Sequence, residues 1–310
     1  MKIFVTGAAG FVGSRLCKAL LERGDQVVGL DNFHPYYARE HKDRHLADLA
    51  HLQFQFHSAD LRDYQALRQI VLDFAPDAVA HLAAMAAVRY SVQHPLVYAE
   101  VNVQGTMNLL EAAREIGKVP CVLASTGSVY GSSTPIPFRE DAPAVQPLAP
   151  YPASKRAMEL MAHPYAKLFG MPITVLRFFN VYGPHGRPDM MPWQWTEKIL
   201  QGEALTLFNA GHMKRDWTYI NDIVDGFIAA LDARLQNEII NLGCGNPVEN
   251  LKFVRVLESL LEREAIIENV PSPPSEPLET FADISKARDL LNYEPKVQVE
   301  EGLRRFVEWY

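Results

Sequence analysis

Short apolar runs flanked by glycine and small polar residues recur along the first half of the chain, with leucines at helical spacing between them. The first run, Ile3-Phe4-Val5-Thr6, leads into Gly7-Ala8-Ala9-Gly10-Phe11-Val12-Gly13 and then the helical positions Leu16, Leu20 and Leu21, which Gly24 closes. Val27-Val28-Gly29-Leu30 repeats the pattern and ends in Asp31-Asn32. Phe54-Gln55-Phe56-His57 leads to Asp60-Leu61, Ala78-Val79-Ala80-His81-Leu82 to Ala83-Ala84, and Cys121-Val122-Leu123-Ala124 to Ser125-Thr126. Buried strands alternating with helices predict an α/β fold with a doubly wound, mostly parallel sheet. Farther on, Asn221-Asp222-Ile223 begins a helix and Glu238-Ile239-Ile240-Asn241 reads as a strand returning to that sheet.

The glycine segment is a strand, tight turn and helix start. Gly7 permits the turn, Gly10 lets backbone N–H groups approach a pyrophosphate, and Gly13 allows the helix to pack close to the sheet. The Gly-x-x-Gly-x-x-Gly spacing departs from the commoner Gly-x-Gly-x-x-Gly. Asp31 lies at the end of the next strand, where a carboxylate accepts hydrogen bonds from an adenosine ribose. The same charge repels a 2′-phosphate and no arginine follows it, so the expected cofactor is NAD rather than NADP. The small and polar residues after the later strands sit where such sheets bind ligands, beyond the strands' carboxyl ends.

Tyr151-Pro152-Ala153-Ser154-Lys155 places a phenol and an ammonium at i and i+4, on one helix face. A free phenol titrates near ~10, so a positive neighbour is what makes it a usable base at neutral pH. The 310 residues are 48% hydrophobic and 22% charged, which suits a large core plus a satellite domain. A net charge of −7 without a dense basic run argues against nucleic acid or an anionic membrane as partner. No apolar stretch long enough to span a bilayer occurs and the first strand starts at Ile3, so a cytoplasmic location is expected. Cys17, Cys121 and Cys244 are far apart and read as core residues, and no metal is expected. His41 and His45 read as a solvated helix face. Prolines mark two irregular zones, Ser132 to Pro152 and Pro271 to Pro277.

These motifs resemble the extended short-chain dehydrogenase/reductase superfamily, and within it the NAD-dependent nucleotide-sugar epimerases, over essentially the whole chain. The resemblance makes the glycine segment, with Phe11 and Val12, the pyrophosphate loop and Asp31-Asn32 the ribose clamp. It makes Asp60-Leu61 the adenine-side contact, and His81-Leu82-Ala83-Ala84 with Asn102 the wall near the nicotinamide ribose, with Phe178 also on the cofactor. Tyr151 and Lys155 match the catalytic base and its partner, and Thr126 the hydroxyl that binds the sugar's reacting oxygen. In Arg177-Phe178-Phe179-Asn180-Val181-Tyr182-Gly183-Pro184, Asn180 matches the asparagine that contacts the sugar diphosphate. His185-Gly186-Arg187-Pro188-Asp189-Met190, Met213-Lys214-Arg215-Asp216-Trp217, Tyr36-Tyr37 and Val88-Arg89-Tyr90-Ser91 resemble the UDP-glucuronate 4-epimerase branch. The implied substrate contacts are Arg89, Thr126, Ser128, Asn180, Arg187, Thr206, Phe208, Arg215 and Glu276. Ser275-Glu276 replaces the branch's usual Gly-Asp pair, with Glu276 standing for the aspartate.

Related dehydratases carry an Asp-Glu pair directly after the catalytic threonine, and UDP-glucuronate decarboxylases a glutamate at the second of those positions; here they are Gly127 and Ser128. That favours C4 epimerisation, UDP-glucuronate to UDP-galacturonate through a 4-keto sugar. The alternatives are a UDP-glucose/galactose-type 4-epimerase, a UDP-glucuronate decarboxylase and a non-catalytic NAD-binding regulator. The resemblance implies a seven-stranded Rossmann-type domain of residues 1–179 plus about 217–245. A smaller C-terminal α/β substrate-binding domain is expected from 180–216 and 246–310. It also implies a homodimer through the helices near 95–116 and 151–169.

Overall fold

Seven strands carry the apolar runs: β1 (Lys2–Thr6), β2 (Gln26–Asp31), β3 (Phe54–Ser58), β4 (Ala78–His81), β5 (Cys121–Thr126), β6 (Ile173–Phe178) and β7 (Glu238–Leu242). The computed structural model describes residues 1–273 and 276–310. It joins these strands into one sheet in the order β7-β6-β5-β4-β1-β2-β3. Every pairing is parallel, so the sheet is wholly rather than mostly parallel. Strand order reverses between β1 and β4, which opens a crevice at the carboxyl ends of those strands. β4 and β5 are buried along their whole length, which is why they read as unbroken apolar runs.

Helix α1 (Phe11–Glu22) turns Leu16, Cys17, Leu20 and Leu21 into the core, and Gly24 ends it with φ +93°. Helix α2 (Arg39–Ala47) follows β2, and its buried residues are Lys42 and His45. His45 is therefore not on a solvated face: its Nδ1 donates to the Ala9 carbonyl at 2.9 Å, fastening α2 to the glycine loop. Helix α3 (Pro150–Phe169) has Pro152 in its first turn, where a missing N–H costs nothing. It begins inside the irregular zone expected to run to Pro152. The three cysteines are free.

The smaller lobe contains short pairings. Asn180–Tyr182 runs parallel to Trp217–Tyr219, and Ala204–Phe208 parallel to Ile266–Val270. Lys214–Arg215 lies between Val248–Glu249 and Glu279–Thr280. Two segments pack differently from the expected division. Trp217–Tyr219, expected with the sheet, pairs into the lobe, whereas helix Ser285–Leu291, expected in the lobe, packs on helix Ile220–Ala233 and on β7. One apolar core runs from Ile3 in the sheet to Phe253 and Leu303 in the lobe. Asp216 ties the lobe together: its carboxylate accepts the N–H groups of Cys244 (2.7 Å), Gly245 (3.0 Å) and Ala282 (3.0 Å) and the Thr218 hydroxyl (3.1 Å). Burial alone would push that carboxyl's pKa up, and these four donors act against it.

Candidate active site

A cleft of about 480 Å³ runs along the carboxyl ends of the strands and under the smaller lobe. Gly7, Gly10, Phe11, Val12, Asp31, Asn32, Asp60, Leu61, Leu82, Ala83, Ala84 and Phe178 line it. So do Thr126, Ser128, Tyr151, Lys155, Asn180, Arg187, Arg215 and Glu276. The fold thus gathers these residues from ten separated segments into one groove.

Whether the groove fits a dinucleotide is decided at the glycine loop. No side chain caps α1 at Gly10, so its first-turn N–H groups are left for an anion. A Cβ on Gly7 would meet the Ala83 nitrogen at 2.7 Å, and one on Gly13 the Gly7 carbonyl oxygen at 2.0 Å. Helix, turn and the Leu82–Ala83 segment after β4 are therefore in backbone contact, and the residues fit the pyrophosphate of NAD. Gly13→Ala is expected to push α1 off the turn and weaken NAD binding at least about tenfold, as read by calorimetric titration. Wild-type affinity in that variant would contradict the close packing.

At the adenosine end, Asp31 Oδ1 accepts from the Phe33 N–H (2.8 Å) and from Lys42 Nζ (3.1 Å). Asn32 Nδ2 donates to Asp60 Oδ2 (2.9 Å), and Arg62 bonds Asp60 with backbone and side chain. The Arg62 guanidinium holds the Asp60 carboxyl well below the usual carboxylate range. Lys42 was missed in the sequence because it lies on a strongly polar helix.

At the other end, β5 and α3 meet. Tyr151 is 9% exposed, and burial raises its pKa while the Thr126 hydroxyl and the Arg187 charge act in the opposite direction. The direct phenol–ammonium contact predicted from the spacing is replaced by another bond: Lys155 Nζ donates to the Ala124 carbonyl at 2.8 Å. Burial pushes the Lys155 pKa down to about 8, and Glu159 one turn further along opposes that. Glu159 accepts from Ser125 Oγ (2.6 Å), Arg156 Nη1 (2.9 Å), Arg177 Nε (3.0 Å) and Arg177 Nη2 (2.7 Å). Tyr151, Lys155 and Glu159 thus dock three consecutive turns of α3 on the end of β5.

Arg187 Nε and Nη2 grip Asp189 at 2.9 and 2.8 Å, and the Tyr36 hydroxyl donates to the same carboxylate at 3.0 Å. A second carboxylate would have to meet the Nη1–Nη2 edge of Arg187. Tyr36 and Tyr37 both line the cleft. A Cβ on Gly127 would lie 2.9 Å from the Phe179 ring, so a larger side chain there requires that ring to move.

Arg215 Nη2 pairs with Glu276 Oε2 at 3.0 Å, and Arg89 Nη2 lies 4.0 Å from Glu276 Oε1. Arg89 is an exposed rim residue over the Phe208 ring, outside the cleft lining. Phe208 is half-buried beneath it. Thr206 points to solvent on the Ala204–Phe208 strand and does not reach the cleft, because alternation turns Leu205 and Leu207 inward instead. Asn102 and His81 also differ from expectation, since neither lines the cleft and His81 is held between two buried threonines. Asn102 is fully buried behind the cleft wall, bonded to the backbone of Met85. Ser275 lies outside the described residues.

The model of the NAD dependent epimerase/dehydratase family matches residues 3–243. The chain is 43% identical to the UDP-glucuronate 4-epimerase of Thermodesulfobacterium geofontis over 307 residues, 98% of this chain and 94% of that protein. The crystal structure of UDP-glucuronic acid 4-epimerase from Bacillus cereus in complex with UDP-glucuronic acid and NAD matches with a TM-score of 0.93 at 38% identity, covering 100% of this chain and 98% of that one. UDP-glucose 4-epimerase from Thermotoga maritima, solved with UDP-glucose, matches at 0.89 and 30% identity, covering 100% and 98%.

Proposed function

This chain belongs to the NAD dependent epimerase/dehydratase family, and we propose that it interconverts UDP-glucuronate and UDP-galacturonate by epimerisation at C4. The observation that carries this reading is the convergence of Tyr151, Thr126 and the Arg187 charge at one end of the dinucleotide-shaped cleft. The glycine loop, Asp31 and the Leu82–Ala84 wall would hold NAD, which would supply a reversible hydride acceptor for C4 with no net change in its oxidation state. Tyr151 accepts the O4 proton and gives it back, and the Thr126 hydroxyl orients O4. Burial keeps the proton on the phenol until positive charge stands beside it, part of which Arg187 supplies. Arg215 and Asn180 face the diphosphate, and Glu276, in contact with Arg215, faces the uridine side.

A uronic acid oxidised at C4 is a β-keto acid. It keeps its CO₂ only while the carboxylate is held away from the geometry that aligns its C–C bond with the new carbonyl. Thr126, Ser128 and Arg187 provide that restraint. No carboxylate is present at 127 or 128 to assist elimination or decarboxylation. A neutral sugar is the second reading, favoured by the Asp189 grip on Arg187, which is compatible with a purely structural arginine. Purified protein incubated with UDP-glucuronate and no added NAD is expected to form UDP-galacturonate. A UDP-pentose product means decarboxylation, and turnover of UDP-glucose alone means the neutral-sugar reading.

The helical run 95–116 and α3 leave Leu96 and Leu160 largely exposed, and on this face we place the contact of a homodimer. We also propose that it works in the cytoplasm. Among the described residues no helix is long and apolar enough to cross a membrane.

A further inference from the structure

Behind the cleft, at its centre, the side chains of Thr6, His81, Thr106, Asn102 and Ser154, joined through the backbone carbonyls of Asn102 and Tyr151, form a continuous polar line. Thr6, His81, Thr106 and Asn102 are at most 1% exposed, and Ser154 and Tyr151 at most 9%. Thr6 Oγ1 accepts the N–H groups of Leu82 (3.2 Å) and Ala83 (3.1 Å) and lies 2.7 Å from His81 Nδ1. His81 Nε2 lies 2.8 Å from Thr106 Oγ1, which donates to the Asn102 carbonyl at 2.7 Å. The Asn102 side chain accepts from the Met85 N–H (2.8 Å) and donates to the Met85 carbonyl (2.9 Å) and to Ser154 Oγ (2.9 Å). Ser154 Oγ then donates to the Tyr151 carbonyl at 2.7 Å.

The proton positions along this line are determined from both ends. The Thr6 oxygen already receives two N–H groups, so its single proton goes to His81 Nδ1. The Thr106 proton goes to Asn102, so Thr106 receives a proton from His81 Nε2. Both ends require the same neutral tautomer, with hydrogen on Nε2 only. A second ring proton would point at an oxygen with no lone pair to spare, and burial together with the Lys155 charge lowers the His81 pKa to about 3. Lys155 is the charged group that faces the ring, and Thr6 and Thr106 are its neutral partners.

We propose that His81, Thr106, Asn102 and Ser154 are positioning residues that hold the Tyr151 turn at a set distance from the 82–85 wall. The wall is where the nicotinamide half of the cofactor would lie, so the line sets the gap in which a sugar must fit between the phenol and that cofactor. Asn102 is aimed at both Met85 and Ser154 because it sits on a π-helical turn, Ala99–Gln104, inside the 95–116 run. The site needs such a line because neither anchor holds the other directly: Tyr151 and Met85 belong to different elements, and hydrogen bonds fix distance and angle where apolar packing fixes only proximity.

This inference rests on the epimerase reading for its kinetic arm alone. Thr106→Val removes the hydroxyl while keeping the volume. It is expected to lower kcat about tenfold with KM for the UDP-sugar little changed, and Thr106→Ser is expected to restore most of the loss. A side chain that merely stabilises the fold would lower the amount of active protein instead, leaving kcat per folded molecule intact. Imidazole ¹⁵N spectra of the wild-type protein supply the second arm, which needs no substrate. They should show His81 protonated at Nε2 and not at Nδ1, unchanged down to about pH 5. Protonation at Nδ1, or a Thr106→Val enzyme with wild-type kcat, would overturn the proposal. The expected tautomer together with no epimerisation in the wild type would sink the functional reading and leave the line itself standing.

Discussion

Tyr151→Phe is expected to lower kcat by about a thousandfold while leaving NAD affinity unchanged. The phenyl ring is what the structure packs: it sits edge-on to Tyr98 with ring centroids 6.1 Å apart, and a phenylalanine keeps that contact. The hydroxyl faces the cleft beside Thr126, so its removal takes away the proton acceptor without opening a hole. The wild-type rate is expected to rise with pH on the acid side, because burial raises the phenol's pKa and the base is the deprotonated form. Steady-state epimerisation and calorimetric NAD titration of the two proteins separate chemistry from binding. Product formed by the variant at the wild-type rate would remove Tyr151 from the mechanism.

Glu159→Gln should be nearly as damaging, for a different reason. Arg177 is 1% exposed and its charge is matched by Glu159, which also receives Ser125 and Arg156. Breaking one side of such a buried pair typically costs about 3–5 kcal/mol, because the other charge stays in low dielectric. A loss of several degrees in Tm follows. The kinetic consequence runs through Lys155, whose pKa burial has already lowered to about 8 and Glu159 holds up. Without that carboxylate the ammonium loses its proton at lower pH, so the alkaline limb of the rate profile is expected to move down. The linkage has a matching sign. A lysine whose folded pKa lies below its unfolded value penalises folding while it is charged, and the penalty fades as pH rises from about 8 towards 10.5. The variant, with its folded pKa lower still, therefore carries an extra deficit from Lys155 at low pH that disappears as pH rises to about 8, while the part due to Arg177 persists. A pH–rate profile with an unmoved alkaline limb would show that Glu159 serves stability only.

Legibility differed between the two kinds of site residue. The glycine loop, Asp31 and the Tyr151–Lys155 pair were readable because each is local: a tight turn, a strand end, one helix face. Lys42 and His45 were not, since α2 buries a polar face against the glycine loop and so lacks the apolar stripe by which a packed helix is recognised. Glu159 follows Tyr151 and Lys155 at the next helical step, yet its partner Arg177 is on β6, and only folding reveals that the two charges cancel. The resemblance puts Asn102 on the cleft surface, whereas in the fold it lies on a π-helical turn, buried one layer deeper. Only the resemblance points to Thr206 and Phe208, and strand alternation together with the lobe's packing leaves the first in solvent and the second beneath Arg89.

The amino-acid sequence by itself determined the alternation of buried strands and helices, the bare backbone of the nucleotide turn and the order of chemistry along α3. Those depend on interactions within a few residues, or on the burial preference of a whole segment. Tertiary structure decided the electrostatic state of that chemistry. It directed Lys155 to the Ala124 carbonyl, matched Arg177 with Glu159 and strung His81 between two threonines. The reason is that a charge or a proton responds to whatever lies within a few ångströms, and in a folded chain those neighbours come from distant parts of the sequence.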